Sequence, residues 1–406
     1  METFVQAGVR QKIFWMGVYF NNSNKLKSGG ISEMSIDLSK MPKLGFGLMR
    51  LPEKDGEIDI ARVCKLVDIY MDKGFNYFDT AYMYHSGKSE AAAREAVVKR
   101  YPRDSFYIAT KLPAWELKVY EDCDRIFNEQ LERAGVSYFD FYMLHSVEEG
   151  NNYDNYVKFK CFEWAREKKK NGQIKHFGFS FHGSPDLLEK ILSEHPEVEF
   201  VQIQLNYADW NNPIVHSGKL YEILRKYNMP IIVMEPVKGG TLANTTPELE
   251  AFMKKQQPNR SIASWAFRFV GSLDGIMTIL SGMSNEEQLY DNLETFINFE
   301  PLTEKDKIVL DEVTKAMAKF PTIQCTSCKY CCDGCPVKIS IPDVISALNS
   351  LYLYGEENRP KFFYSNLMER SGRAGSCIAC TQCEAACPQH LPIINIMKEA
   401  SEKFDG

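Results

Sequence analysis

Four ionisable side chains, Asp79, Tyr84, Lys111 and His145, stand at or just beyond the ends of short apolar runs in this chain. A carboxylate, a phenol, an ammonium and an imidazole together can hand a proton to a carbonyl oxygen or take one from an alcohol. A phenol with a pKa of about 10 is a reluctant donor at neutral pH. An ammonium beside it favours the phenolate and eases release of the proton, and a carboxylate can hold that ammonium in place. Those are the roles open to Lys111 and Asp79, while His145 can hydrogen-bond the acceptor oxygen or the phenol. Singly, each has a plainer reading: a helix cap, a cavity wall, a solvated lysine, a core histidine.

A second chemistry is written nearer the C-terminal end, where two runs repeat one motif: Cys325-x2-Cys328-x2-Cys331-x3-Cys335-Pro336 and Cys377-x2-Cys380-x2-Cys383-x3-Cys387-Pro388. Thiolates at this spacing suit [4Fe-4S] cubanes, with the first three of each run on one cluster and the fourth reaching the other. That places Cys325, Cys328, Cys331 and Cys387 on one cluster, and Cys377, Cys380, Cys383 and Cys335 on the second. Cys332 is left over as a neighbouring thiol. Zinc also takes paired C-x2-C units, but it does not call for four cysteines in one run, twice.

The elements that must position these groups alternate between strand-like and helix-like patterns, as a parallel sheet wrapped by helices requires. Strands are expected near 44–49, 75–79, 106–111, 139–145, 174–180, 200–205, 230–235 and 275–280. The helices between them show apolar residues at helical spacing, as in Ala61, Cys64, Val67, Ile69 and Met71, or Leu187, Leu188, Ile191 and Leu192. In an eight-stranded barrel the C-terminal strand ends meet on one face, so Asp79, Lys111 and His145 would converge there. Thr303, with Asp306 three residues on, opens a further helix to about residue 320, and Pro342 starts a helical pattern between the cysteine runs.

Asp79-Thr80-Ala81-x-x-Tyr84, Ala109-Thr110-Lys111 and Leu144-His145 resemble the catalytic tetrad of the aldo-keto reductase family, over roughly residues 41–300. The resemblance implies a (β/α)8 TIM barrel whose four residues are catalytic, with NADH or NADPH lying extended across the barrel mouth. It implies reduction of an aldehyde or ketone, or the reverse oxidation of an alcohol. No G-x-G-x-x-G is present, since Gly45-x-Gly47 is followed by Arg50 where a third glycine would stand. Ser180, Gln202, Ser281, Met283, Ser284, Gln288 and Asn292 are the positions that resemble the family's cofactor contacts. Met234 replaces the aromatic that commonly covers the nicotinamide, a role a thioether can fill. Glu286 and Glu287 stand where basic residues would grip a 2′-phosphate, which leaves NADH as open as NADPH. Trp115, Phe181, His182 and Trp210 follow strands and could line the substrate pocket.

Length divides the 406 residues into a leader at 1–40, a barrel at 41–300, a connecting helix at 301–320 and a mostly α-helical dicluster ferredoxin-like domain at 321–406. The apolar run 13–20 in the leader is short and lacks a small-residue cleavage site, so it reads as a disordered leader or as sequence upstream of a start at Met34 or Met41. The net charge of −6, with Lys168-Lys169-Lys170 on a solvated helix face, gives no nucleic-acid footprint. No run of eighteen apolar residues exists for a membrane span. Cys64, Cys123 and Cys161 fall on helix-like segments as reduced packing residues, in keeping with a reducing, cytoplasmic setting. No flavin motif is visible to split a hydride into single electrons, so the barrel is expected to work without the tail and the clusters to serve a ferredoxin or other one-electron partner, or a docking role. The competing reading is a regulatory nucleotide-binding protein that uses the clusters as a redox switch.

Overall fold

The computed structural model describes residues 36–354, 358–368 and 371–405, so most of the expected leader lies outside the described residues. Eight strands close a barrel: β1 (Leu44–Gly47), β2 (Tyr77–Asp79), β3 (Tyr107–Pro113), β4 (Phe139–Val147), β5 (Ile174–Phe181), β6 (Phe200–Gln204), β7 (Ile231–Met234) and β8 (Ile276–Ser281). Each pairs in parallel with its sequence neighbours, and β1 pairs with β8 to close the ring. Parallel strands covered on both faces carry nearly unbroken apolar runs. All nine residues of β4 are buried, including His145. β3 and β4 run two residues past Lys111 and His145, because Pro113 pairs with His145 in register.

The barrel interior is filled by Tyr77, Phe141, Met143, Phe200, Ile232 and Met277. Ile36, Leu38 and Met41 join this cluster just before β1, so part of the expected leader packs against the barrel. The first helix, Ile60–Asp72, buries Val63, Leu66, Val67 and Tyr70, a stripe rotated from the expected one. Tyr70 explains the rotation: its hydroxyl meets the carbonyl oxygens of Leu44 at 2.7 Å and Tyr77 at 3.1 Å, a buried tie that periodicity does not reveal. Leu187, Leu188, Ile191 and Leu192 are buried as expected.

The helix Glu304–Met317 opens on a capping box between Thr303 and Asp306. Asp306 also takes the buried Arg268 guanidinium at 3.0 Å, and Val309, Leu310 and Val313 join the main core, so this connecting helix is part of the barrel wall. The lysine run is less solvated than expected, since Lys168 pairs with Asp124 at 2.6 Å and Lys169 with Glu199 at 2.5 Å.

The tail is helical where described: Tyr330–Asp333, Ile341–Tyr354, Asn358–Leu367, Gln382–Ala385 and Ile393–Phe404. Ile339, Val344, Leu348, Ile396 and Met397 form its own core with Cys331, Cys383 and Cys387. Its two cysteine loops share a backbone, with positive φ at Ser327, Lys329 and Lys338 in one and at the equivalent Ala379, Thr381 and His390 in the other. No described helix is long and apolar enough to cross a membrane.

Candidate active site and cysteine centre

β2 delivers Asp79 to the barrel mouth, and the turn after it brings Tyr84 back over the opening. The Thr80 hydroxyl meets Ser89 Oγ at 2.8 Å, and Ser89 in turn donates to the Leu48 carbonyl at 2.9 Å, which pins the turn. Lys111 Nζ lies 2.7 Å from Asp79 Oδ1, 2.7 Å from the Thr80 carbonyl and 3.4 Å from the Tyr84 hydroxyl. Burial pushes the Asp79 carboxyl up and the Lys111 ammonium down, and their attraction opposes both shifts. At Tyr84 two effects outweigh the nearby Lys111 ammonium. Burial, then the Asp79 carboxylate, push the phenol well above its ordinary value, so its resting form is protonated. His145 is pushed well below its ordinary value by burial and then by Lys111, which leaves a neutral imidazole.

The structure sorts the other expected contacts. Gln202, Met234 and Ser281 line the cavity over Asp79 and Tyr84. Gln202 Oε1 is buried without a hydrogen-bond partner, while its amide nitrogen lies 3.5 Å from Met234 Sδ. Ser180 pairs in register with Gln202 and accepts the Ser146 amide at 2.8 Å. An amide beside a thioether, with its oxygen orphaned, is a fit for the carboxamide end of a nicotinamide ring. The Met283 side chain is buried in the hydrophobic core, next to Gly282, which lines the cavity. Ser284, Gln288 and Asn292 lie off this cavity, satisfied by Arg50, by each other and by Ser281. Of the four expected pocket residues, His182 lines the inner cavity and Trp115 an outer one. Phe181 and Trp210 are core residues.

Sequence reasoning missed the residues that connect the barrel to its tail. Thr326, Cys328, Tyr330, Pro388 and Gln389 line the inner cavity together with Asp79 and Tyr84. Arg50 Nη2 donates to the Thr326 carbonyl at 2.5 Å and lies 3.6 Å from Glu235. Gln389 donates to Gln204 at 2.8 Å, and Gly239 packs so close to Thr326 that a Cβ would sit 2.4 Å from its carbonyl oxygen. Tyr330 places its hydroxyl 3.3 Å from His145 Nε2. Barrel and tail residues thus line one cavity together. Only the position of Tyr330 inside a cysteine motif singled it out, and nothing local pairs it with a residue so distant in sequence.

Beneath this site, Lys238 and Asp209 form a buried ion pair, each 1% exposed, and Asp209 also accepts from Gln204 at 2.9 Å and Asn206 at 2.8 Å. Lys238→Met leaves that carboxylate buried and unpaired, so unfolding stability is expected to fall by about 3–5 kcal/mol. Chemical denaturation of the holoprotein measures the loss, and a midpoint unchanged from wild type contradicts it.

Cys325, Cys328, Cys331 and Cys387 surround a single small cavity, so the last cysteine of the second run meets the first three of the first. Four thiols around one space fit the donor set of a cubane. Cys335 and Cys377 pack beside the tail core that holds Cys383. Backbone amides approach Cys325 Sγ and Cys335 Sγ at 3.4 Å each. Cys123 and Cys161 are unbridged in the barrel, with sulfurs 3.7 Å apart.

A closed (β/α)8 barrel with an ionisable cluster at its mouth, roofed by a cysteine-rich helical domain, defines a two-part enzyme. The aldo/keto reductase family model matches residues 43–315, more than half of the sequence, and a 4Fe-4S dicluster domain model matches residues 324–391. The chain belongs to the aldo/keto reductase family and is an oxidoreductase that carries a 4Fe-4S dicluster domain at its C-terminal end. An aldo-keto reductase of Mycobacterium avium is 24% identical over 262 residues, covering 64% of this chain and 82% of that protein. An aldo-keto reductase of Bacillus halodurans in its holo form matches with a TM-score of 0.55 at 21% identity, covering 67% of this chain and 92% of its own. One from Klebsiella pneumoniae in complex with NADPH has a TM-score of 0.54 at 17% identity, covering 68% and 91%. These structural likenesses carry the fold.

Proposed function

We propose that the barrel site catalyses NAD(P)H-dependent reduction of an aldehyde or ketone, or the reverse oxidation, with Tyr84 as the proton donor. The observation that carries this reading is the buried chain from Asp79 through Lys111 to Tyr84, beside the neutral imidazole of His145. A bound nicotinamide supplies the hydride. Gln202 and Ser180 would hold its carboxamide, and Met234 would cover its ring. Tyr84 gives its proton to the carbonyl oxygen, Lys111 stabilises the phenolate left behind, and Asp79 keeps Lys111 oriented. His145 hydrogen-bonds the carbonyl oxygen and polarises it.

In the tail, Cys325, Cys328, Cys331 and Cys387 hold one [4Fe-4S] cluster and Cys377, Cys380, Cys383 and Cys335 the other, for one-electron exchange with a ferredoxin-type partner in a reducing cytoplasm. A small carbonyl compound or alcohol is the substrate, with no part for nucleic acid or membrane. The test is anaerobic steady-state oxidation of NADH and of NADPH with a panel of aldehydes and ketones. Turnover with either coenzyme supports the assignment. A protein with full clusters that binds nucleotide and reduces no carbonyl overturns it in favour of a regulatory switch.

A further inference from the structure

Two cavities meet at Tyr330. The inner one holds Tyr84, Gln202 and Met234; the outer one is a cleft between barrel loops bearing Met83, Trp115 and Asn152 and tail residues including Asp333 and Gln382. Tyr330 lines both. Its hydroxyl meets His145 Nε2 at 3.3 Å, and its ring stands edge-on to the imidazole at 6.3 Å. The indole of Trp115 approaches the same imidazole from the outer side, with centroids 5.2 Å apart, and is 38% exposed to the cleft. Tyr330 is also held by its place in the chain, between Cys328 and Cys331 and directly after Lys329, whose φ of 66° turns the chain into the short helix Tyr330–Asp333. A side chain fixed in this way is a wall, not a passing contact.

We propose that Tyr330 is a positioning and specificity-determining residue of the carbonyl site, and that the outer cleft takes the non-reacting part of the substrate. This rests on the assignment of Tyr84 and His145 made above. The substrate class is a neutral carbonyl compound carrying an aromatic or other ring, which lies between Trp115 on the barrel and Tyr330 on the tail while its carbonyl reaches past Tyr330. Ring-bearing substrates gain aromatic contact on both sides. Anionic ones are disfavoured: the cleft carries the carboxyl groups of Glu116, Glu148 and Asp333, and Arg133 already faces Glu129 at 3.5 Å. The Tyr330 hydroxyl occupies the imidazole nitrogen that the carbonyl oxygen needs and is also hydrogen-bonded to the Tyr84 phenol, so substrate must displace both contacts to bind.

Two variants of the full chain, purified anaerobically, separate these roles because their expected effects have opposite signs. Tyr330→Phe keeps the wall and removes the competitor for His145, so KM for an aryl ketone is expected to fall by about two- to tenfold, the worth of one neutral hydrogen bond. Tyr330→Ala removes the wall, so kcat/KM for the aryl ketone relative to that for acetaldehyde is expected to fall by about tenfold. A readout independent of turnover is the paramagnetic spectrum of the dithionite-reduced protein. Adding acetophenone without nucleotide should shift the signal lost in Cys328→Ala and leave the signal lost in Cys380→Ala unchanged, and the shift should disappear in Tyr330→Ala. If wild type turns over carbonyls but neither variant changes KM or the substrate ratio, Tyr330 is only a structural contact and the inference fails. If wild type reduces no carbonyl, the earlier assignment fails by itself, and the acetophenone shift still decides whether Tyr330 walls a ligand cleft: its presence in wild type and loss in Tyr330→Ala supports the cleft, and its absence overturns it.

Discussion

Tyr84→Phe is expected to lower carbonyl reduction by about two orders of magnitude or more while nucleotide affinity changes by less than about twofold. The substitution removes one oxygen and leaves the ring that stands edge-on to His145, with centroids 6.0 Å apart. Lys111 keeps Asp79 and the Thr80 carbonyl as partners, so the ion pair is not stranded. What is lost is the one hydroxyl that Lys111 touches at the mouth among the described residues. Because the resting phenol is pushed upward by burial, it is fully protonated across the neutral range, so the loss should be the same at pH 6 and pH 8. Initial rates give the first number and fluorescence titration with the reduced coenzyme the second. Near-normal turnover by Tyr84→Phe would falsify the role given to Tyr84.

The second large effect concerns the tail. Cys387→Ala is expected to abolish the cluster held by Cys325, Cys328 and Cys331, although Cys387 lies in the other run, with bound iron falling by about half. The cavity that all four thiols line is the ground for this expectation. Ligation within each run predicts the opposite, damage to the cluster of Cys377, Cys380 and Cys383. The paramagnetic signals of dithionite-reduced protein are first assigned with Cys328→Ala and Cys380→Ala. A Cys387→Ala spectrum matching that of Cys380→Ala rejects the crossed arrangement.

The barrel was legible in the sequence because its strands are buried on both faces. A run such as Phe139 to His145 has no other simple reading, and strand ends in a barrel must converge. The cysteine motifs were legible because ligand spacing is a local property. The phase of the helix Ile60–Asp72 was not, since it is decided by the Tyr70 hydroxyl and two backbone carbonyls from other elements. The burial of the Met283 side chain was not legible either, because the direction of a loop side chain is set by the packing beneath it. Asp209 and Lys238 pair across two loops with no spacing rule to link them. The largest omission, Tyr330 beside His145, depends on how two domains dock, and neither domain's pattern records the other.

The two cysteine loops are copies of one backbone, and docking makes them non-interchangeable. Thr326 lies 3% exposed under Arg50, while Ile378, its counterpart in the second loop, is 62% exposed to solvent. Tyr330 reaches His145, while its counterpart Gln382 faces outward on the cleft. Transplanting the second run into the place of the first would preserve every thiolate and every left-handed turn. It would also set an isoleucine under Arg50 and an amide against the imidazole. The duplicated unit is thus constrained unequally: the first copy meets the enzyme from within its cysteine run, through Thr326 and Tyr330, and the second just past its last cysteine, through Pro388 and Gln389.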